Sequence, residues 1–329
     1  MRSSAVTSAV STILLITTLG GCDGGDRSVD TSTSTPVETT DPTDPIEAID
    51  DGYERCAKDT LQGTFQIDLG DEYSTIQGSV ADGVVPLNVW EEVLSASSCQ
   101  VLEPPQLFCD PGCDSDATCG LDGECVPYPS NTDVGAVVIE GLTDPVEMDA
   151  IPPTQTYYFT GSLEQTPYAS GDAISLYAAG GETEAFALLT HGVDALSVDL
   201  DTLAIAPGEA AELSWTPTSG SADTRVEITL NIALHGGNPG ILLCEAEDTG
   251  SFTIPAEAID GLLALGFSGF PSVKLSRQEV DATDALGGCV EFQSTSSVTL
   301  PVSIPGLTSC SNDDDCPDGQ ACQYDLTCG

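Results

Sequence analysis

Positive charge is nearly missing from this chain. Seven Lys and Arg stand against 53 Asp and Glu in 329 residues, a formal net charge of −46. The lysines are Lys58 and Lys274 alone. Phosphate binding needs clustered Lys and Arg, so a nucleic-acid partner is excluded. Charge-driven adsorption to an anionic lipid surface is excluded with it. Histidine is also scarce: His191 and His235 are each followed by Gly, and they form no metal-spaced pair. No His-Glu-x-x-His helix, phosphate-cradling glycine loop or dinucleotide fingerprint occurs. The nearest approach to a nucleophile elbow is Gly266-Phe267-Ser268-Gly269, where Phe270 stands in place of the second glycine. Two facing carboxylates would suffice for glycoside hydrolysis, but among 53 acids the sequence selects no pair. An enzyme is not expected.

The acid surplus reads as a solvated surface that resists aggregation, in a medium whose salt screens self-repulsion. Carboxylates are also hard oxygen ligands, so calcium is the competing reading. No other cofactor is expected. Aromatics make up 5% of the chain, whereas Gly, Pro, Ser and Thr are abundant. That mix suits short strands and turns better than long helices.

The N-terminus follows a secretory plan. Arg2 gives a small positive start, and Ala5 to Leu19 form an apolar region around Ile13-Leu14-Leu15-Ile16. About 15 residues are too few to span a bilayer, which takes roughly 20, and no other segment is expected to span one. The region ends in Leu19-Gly20-Gly21-Cys22: an aliphatic residue, two small residues, then Cys. These four positions resemble the lipobox of bacterial lipoproteins. The resemblance implies cleavage before Cys22, with a diacylglycerol on its thiol and an acyl chain on its amine. Residues 1–21 would then be signal peptide, and the protein would sit in the bacterial cell envelope, facing periplasm or exterior. Each buried methylene contributes about 0.8 kcal/mol, so several chains hold where one is marginal.

Residues 22–50 are low-complexity, as in Thr31-Ser32-Thr33-Ser34-Thr35-Pro36. They have little apolar surface to offset ordering entropy, which predicts a disordered acidic tether spanning roughly 30 Å or more.

Thirteen cysteines are present, and setting Cys22 aside leaves an even twelve, as suits an exported, oxidised protein. Eight fall into two sets: Cys109, Cys113, Cys119 and Cys125, then Cys310, Cys316, Cys322 and Cys328. The intervening Gly, Asp and Pro cannot build a core, so cross-links must hold these segments. Four Cys allow three connectivities. A spacing that is mostly five residues departs from the two to four typical of zinc sites, which favours disulfides. Asp313, Asp314, Asp315 and Asp318 crowd one loop without EF-hand spacing. The second set, with Asp315-Cys316-Pro317-Asp318-Gly319-Gln320-Ala321-Cys322, resembles the small modules named for EGF or the Dickkopf N-terminal region. Proximity in sequence suggests Cys56–Cys99 and Cys244–Cys289 for the remaining four.

Gly63–Leu69 and Ser74–Val80 alternate as half-buried strands. Asn88 with Glu91 resembles a capping box and predicts a short helix carrying Trp90, Val93 and Leu94. From residue 131 strands dominate: 134–139, 156–159, 173–178, 204–206, 211–215, 273–275, 290–292 and 298–304. Val226 to Leu234 alternates most clearly and returns through 235–240 to Ile241–Cys244, a hairpin. One helix is expected over Ala256–Leu265. Many strands at about ten-residue spacing indicate a mainly β protein, an antiparallel β-sandwich flanked by small disulfide-stapled Cys-rich modules. Leu213-Ser214-Trp215-Thr216-Pro217 resembles the buried-Trp strand of fibronectin type III or immunoglobulin-like domains. The expected divisions are 51–130 (a small β unit with a Cys-rich module), 131–306 (the sandwich) and 307–329 (the second module). The functional expectation is a lipid-anchored, non-catalytic surface protein that binds protein or glycan or serves structurally. Its alternatives are a calcium-stabilised adhesion protein and a glycan-active hydrolase.

Overall fold

Apolar–polar alternation accounts for most of the strands. The computed structural model describes residues 52–329, apart from 71, 182, 219, 221–222 and 234–239. Cys22, residues 1–50 and His235 lie outside the described residues. The first section holds β1 (Leu61–Leu69), β2 (Ser74–Val80), β3 (Glu91–Ala96) and β4 (Cys99–Glu103), then the ribbon β5 (Ala117–Cys119) and β6 (Cys125–Pro127). Next come β7 (Val137–Glu140), β8 (Val146–Met148), β9 (Tyr157–Tyr158), β10 (Ala173–Ala178) and β11 (Phe186–His191). The rest comprises β12 (Leu203–Ala204), β13 (Ala211–Ser214), β14 (Arg225–Asn231), β15 (Ile241–Glu247) and β16 (Ser251–Ile254). Helix α1 (Ala256–Ala264) and two long strands, β17 (Ser272–Ala285) and β18 (Gly288–Ser303), complete it.

The largest sheet has ten strands in the order β3-β4-β15-β14-β17-β18-β1-β2-β9, with β12 also pairing with β18. A four-stranded sheet, β11-β10-β7-β8, and the ribbon β13–β16 supply the other strands facing it. Two apolar cores result. One gathers Val226, Ile228 and Leu230 of β14, Leu242 of β15, Ile259 and Leu262 of α1, and Trp215. The other gathers Phe65 and Ile67 of β1, Ile76 of β2, Ile139, Leu176 and Leu188 of the four-stranded sheet, and Phe292 of β18. β14 shows why: Val226, Ile228 and Leu230 are fully buried while Arg225, Glu227, Thr229 and Asn231 point the other way. The protein is mainly β, a layered β fold with disulfide-stapled flanks.

β17 and β18 form one hairpin, in register from Ser272↔Pro301 to Ala285↔Gly288. The two residues at its tip, Leu286 (φ 55°) and Gly287 (φ 80°), are both left-handed, as a primed two-residue turn requires.

Three expectations change. The capping box at Asn88 opens no α-helix: Pro86–Asn88 is a single 3-10 turn, and Glu91–Ala96 is β3. Its backbone pairs with β4, from Glu91↔Glu103 to Ala96↔Cys99, and β4 is itself paired with β15. A continuous ladder outweighs one side-chain cap. The expected boundary at residue 131 is crossed by the sheet, because β1 lies between β18 and β2 while β4 lies against β15. β1 and β12 run parallel to β18 within an otherwise antiparallel sheet. The disulfides suggested by proximity are corrected to Cys56–Cys289 and Cys99–Cys244. Cys99 and Cys244 are register partners, 4.0 Å apart at Cα. Cys56 approaches the sheet beside Cys289, whose N–H donates to the Thr60 carbonyl.

Phe65 is fully buried, 5.4 Å from the Tyr157 ring and over Gly78, where a Cβ would run into it. Phe65→Ala should destabilise by about 3–5 kcal/mol, read from the urea midpoint. Thr64→Ala on the opposite face should stay within about 0.5 kcal/mol.

Candidate functional site

The core-facing side of the long hairpin is apolar at both ends and polar between. Val273 and Leu275 belong to one core, Val290 and Phe292 to the other. Between them lie the buried side chains of Arg277, Glu279, Asp281, Ser294 and Ser296. Arg277, 1% exposed, pairs through Nε with Asp248 Oδ2 at 2.7 Å. Its Nη1 donates to the carbonyls of Asp194 and Ala195, and its Nη2 to that of Thr216. Asp248 also accepts from Trp215 Nε1 at 2.6 Å and Thr218 N at 3.2 Å. Glu279 takes Thr224 Oγ1 at 2.8 Å and His191 Nδ1 at 3.1 Å. Asp281 accepts the Leu189 N–H at 2.7 Å, and Ser296 accepts that of Leu196 at 3.0 Å. Each buried group has protein partners, so this belt joins β11 and the loops to the hairpin. It is a structural element.

On the reverse side of the same strands, residues 53–58 lie across the sheet. Glu54 N donates to the Val280 carbonyl at 3.0 Å, and Cys56 N to Glu291 Oε1 at 2.8 Å. Arg55 pairs with Glu227 at 2.6 Å and approaches Glu291 at 3.6 Å. Burial works against the Arg55 charge, but Glu291 and Glu227 outweigh it and hold the guanidinium above its usual range. Tyr53 donates to Glu245 at 3.0 Å, and the Arg225 guanidinium lies 5.3 Å from its ring centre. Burial raises the Tyr53 phenol and lowers the Lys58 ammonium. Two of the few cations therefore serve this clasp.

The Cys-rich modules share one connectivity, first to third and second to fourth: Cys109–Cys119 with Cys113–Cys125, and Cys310–Cys322 with Cys316–Cys328. The sulfurs of Cys109, Cys113 and Cys125 lie within 4.8 Å of one another, as do those of Cys310, Cys316 and Cys328. Reduced, either trio could hold a metal, but a disulfide sulfur is not a thiolate ligand. In the acidic loop, Asp315 accepts from the N–H groups of Ser311 and Asn312, and Asp313 accepts that of Cys322. These carboxylates cap local turns.

Ser268 is fully buried, with its N–H on the Ile232 carbonyl, so the incomplete nucleophile elbow is not open to solvent. Trp215 is 3% exposed, a core residue.

The described surface carries shallow grooves. One of about 950 Å³ opens beside the hairpin tip, with Asp82, Glu184 and Asp284 on its rim. A second, of about 360 Å³, lies on the outer face of β1, β2 and β9 between Gln66, Gln77 and Tyr158. A third, of about 290 Å³, adjoins the second, because Thr64 and Ser79 line both. These strands were legible in the sequence, but their polar positions carry no motif that marks a groove.

No protein-family model matches the chain, and no curated protein matches it. Among solved structures, trypsin-activated α2-macroglobulin from Escherichia coli aligns with a TM-score of 0.18 and 10% identity. The alignment covers 87% of this chain and 18% of that one. A likeness at that level carries no argument about fold or activity.

Two predictions arise from the buried groups. Arg277→Ala strands the Asp248 carboxylate and should destabilise by about 3–5 kcal/mol, whereas the pair Arg277→Met with Asp248→Leu should recover only part of the loss, because the Trp215 indole and the Thr216 carbonyl lose their partners. Equilibrium denaturation of the three proteins measures this. Burial pushes the phenols of Tyr157 and Tyr168 up to about 12. An unfolded tyrosine ionises near about 10, so the folded state holds its protons longer. Stability should be independent of these groups below pH ~10 and fall as pH rises toward ~12. Phenolate absorbance followed during alkaline titration should rise together with loss of the fold.

Proposed function

We propose that the protein is a lipid-anchored, non-catalytic component of a bacterial cell envelope, a disulfide-stapled β body carried on a tether. The observation that carries this reading is the cysteine pairing. Six disulfides use all twelve cysteines from Cys56 onward. That leaves Cys22 as the odd thiol, in the position where the lipobox pattern acylates it. Such dense oxidation belongs to an extracytoplasmic compartment. The clasp at residues 53–58 fits the same reading, since load arriving from the N-terminus would meet Cys56–Cys289 and the Arg55 ion pairs. The saturated polar belt supports a binding or structural role, because its charged groups already have protein partners. The anchor holds the membrane, and the β body faces a protein or glycan.

Metabolic labelling of the full chain with radiolabelled palmitate tests the anchor. Label should enter the unsubstituted protein and be absent from Cys22→Ala, which should move to the soluble fraction. Label retained by Cys22→Ala would sink the reading.

A further inference from the structure

We propose that the outer face of β1, β2 and β9 is a binding trough for a neutral pyranose oligosaccharide lying along the strands. This deepens the surface-binding reading above and rests on it. The two adjoining grooves, of about 360 and 290 Å³, form one trough because Thr64 and Ser79 line both. Strand alternation builds its floor: Phe65, Ile67, Ile76 and Val80 turn inward, so Thr64, Gln66, Gln77 and Ser79 turn outward. In register, Gln66 lies opposite Gln77, and Gln77 opposite Tyr158. Tyr157 is buried beneath, while Tyr158 is 47% exposed.

The chemistry of these groups points to sugar. A pyranose offers hydroxyls that donate and accept together, and a face of C–H bonds. Carboxamides supply both hydrogen-bonding roles, and Ser and Thr hydroxyls rotate to suit. An exposed tyrosine ring supplies an apolar surface for the sugar face. The floor is also held in place. Gln66 Nε2 donates to Thr295 Oγ1 at 2.8 Å, and Thr295 donates to Asp68 at 2.9 Å. Gln66 Oε1 is thereby left to accept.

A second observation comes from the other end of the trough. Gln62 Oε1 is buried there without a hydrogen-bond partner among the described residues. Gly288 makes room for that side chain, since a Cβ on it would sit 2.5 Å from Gln62 Cδ. An unpaired buried acceptor is unfavourable, and turning the Gln62 carboxamide outward to meet a ligand hydroxyl would remove that penalty.

Charge selects among glycans. Lys58 is the one charged side chain lining these two grooves, and the chain as a whole carries −46. A polyanionic glycan would be repelled, whereas a neutral one is indifferent to that field.

The test titrates the detergent-extracted full chain with cellohexaose, maltohexaose, chitohexaose and mannohexaose, and with polygalacturonate as the anionic contrast. At least one neutral hexasaccharide should bind saturably, and Tyr158→Ala and Gln77→Ala should each weaken it about tenfold. Tyr324→Ala, in the C-terminal module, should leave binding unchanged. Saturation-transfer NMR on the unsubstituted protein should place sugar ring protons against aromatic protons, independently of how the variants fold. Binding by none of the neutral sugars, indifference to both trough substitutions, or a preference for polygalacturonate overturns the proposal. Palmitate labelling of the same preparation separates the outcomes. Label without sugar binding sinks the trough alone, and absence of label sinks the anchor.

Discussion

The ion pair between Arg277 and Asp248 closes the only stretch of the long hairpin where the core face is polar. Each buried charge is unfavourable alone, and their attraction offsets desolvation only when the remaining donors and acceptors are also filled. Here they are filled by the carbonyls of Asp194, Ala195 and Thr216, the Trp215 indole and the Thr218 amide. These partners come from separate loops, so satisfying one guanidinium brings together chain segments remote in sequence. Glu279 and Asp281 then join β11 to the same strand through Thr190, His191 and Leu189. An apolar belt would merge the two cores. A saturated polar one keeps them apart while setting the register of everything that touches it.

The reverse face of those strands obeys the same rule, with carboxylates in excess of the cations that meet them. Glu227 and Glu245 extend from β14 and β15, and Glu291 from β18, on the side that residues 53–58 cover. Arg55 meets two of these carboxylates and Tyr53 the third. A short segment with little apolar area thus docks by polar pairing, and Cys56–Cys289 makes the docking permanent.

The strands with one wet face were legible in the sequence. Ser74–Val80 emerged with the boundaries it has, and Val226 onward was evident from its alternation. The long hairpin was not, because its middle breaks the apolar alternation: Arg277, Gln278, Glu279 and Asp281 are polar or charged, yet all are buried. Three fragments, Val273–Leu275, Val290–Phe292 and Val298–Ile304, were visible where two continuous strands exist. The Asn88 capping box failed because local pattern carries no information about the ladder that β4 offers. The same blindness explains the disulfides: Cys56 and Cys289 are 233 residues apart, and only the parallel pairing of β1 with β18 brings them together. The trough residues were seen as the wet half of two strands, but their side-by-side register across β1, β2 and β9 exists only in three dimensions.

The six disulfides divide into two kinds of work. In the chain-entropy view, closing a loop of about 15 residues contributes about 3 kcal/mol and one of about 100 residues about 4.7 kcal/mol. By length alone, Cys56–Cys289 and Cys99–Cys244, with separations of 233 and 145, should dominate. Length alone misleads, because Cys99–Cys244 joins strands already held by a ladder, and Cys56–Cys289 ties a segment already docked through Tyr53, Glu54 and Arg55 to a sheet that two apolar cores hold. The four module bonds span only 10 to 12 residues, but their loops bury almost nothing except Cys310 and Gly120. A modest loop-closure term is therefore a small increment for the sheet and nearly the whole stability of the modules. In a chain with 53 acids and seven cations, covalent closure is also the one contribution that self-repulsion and salt leave unchanged.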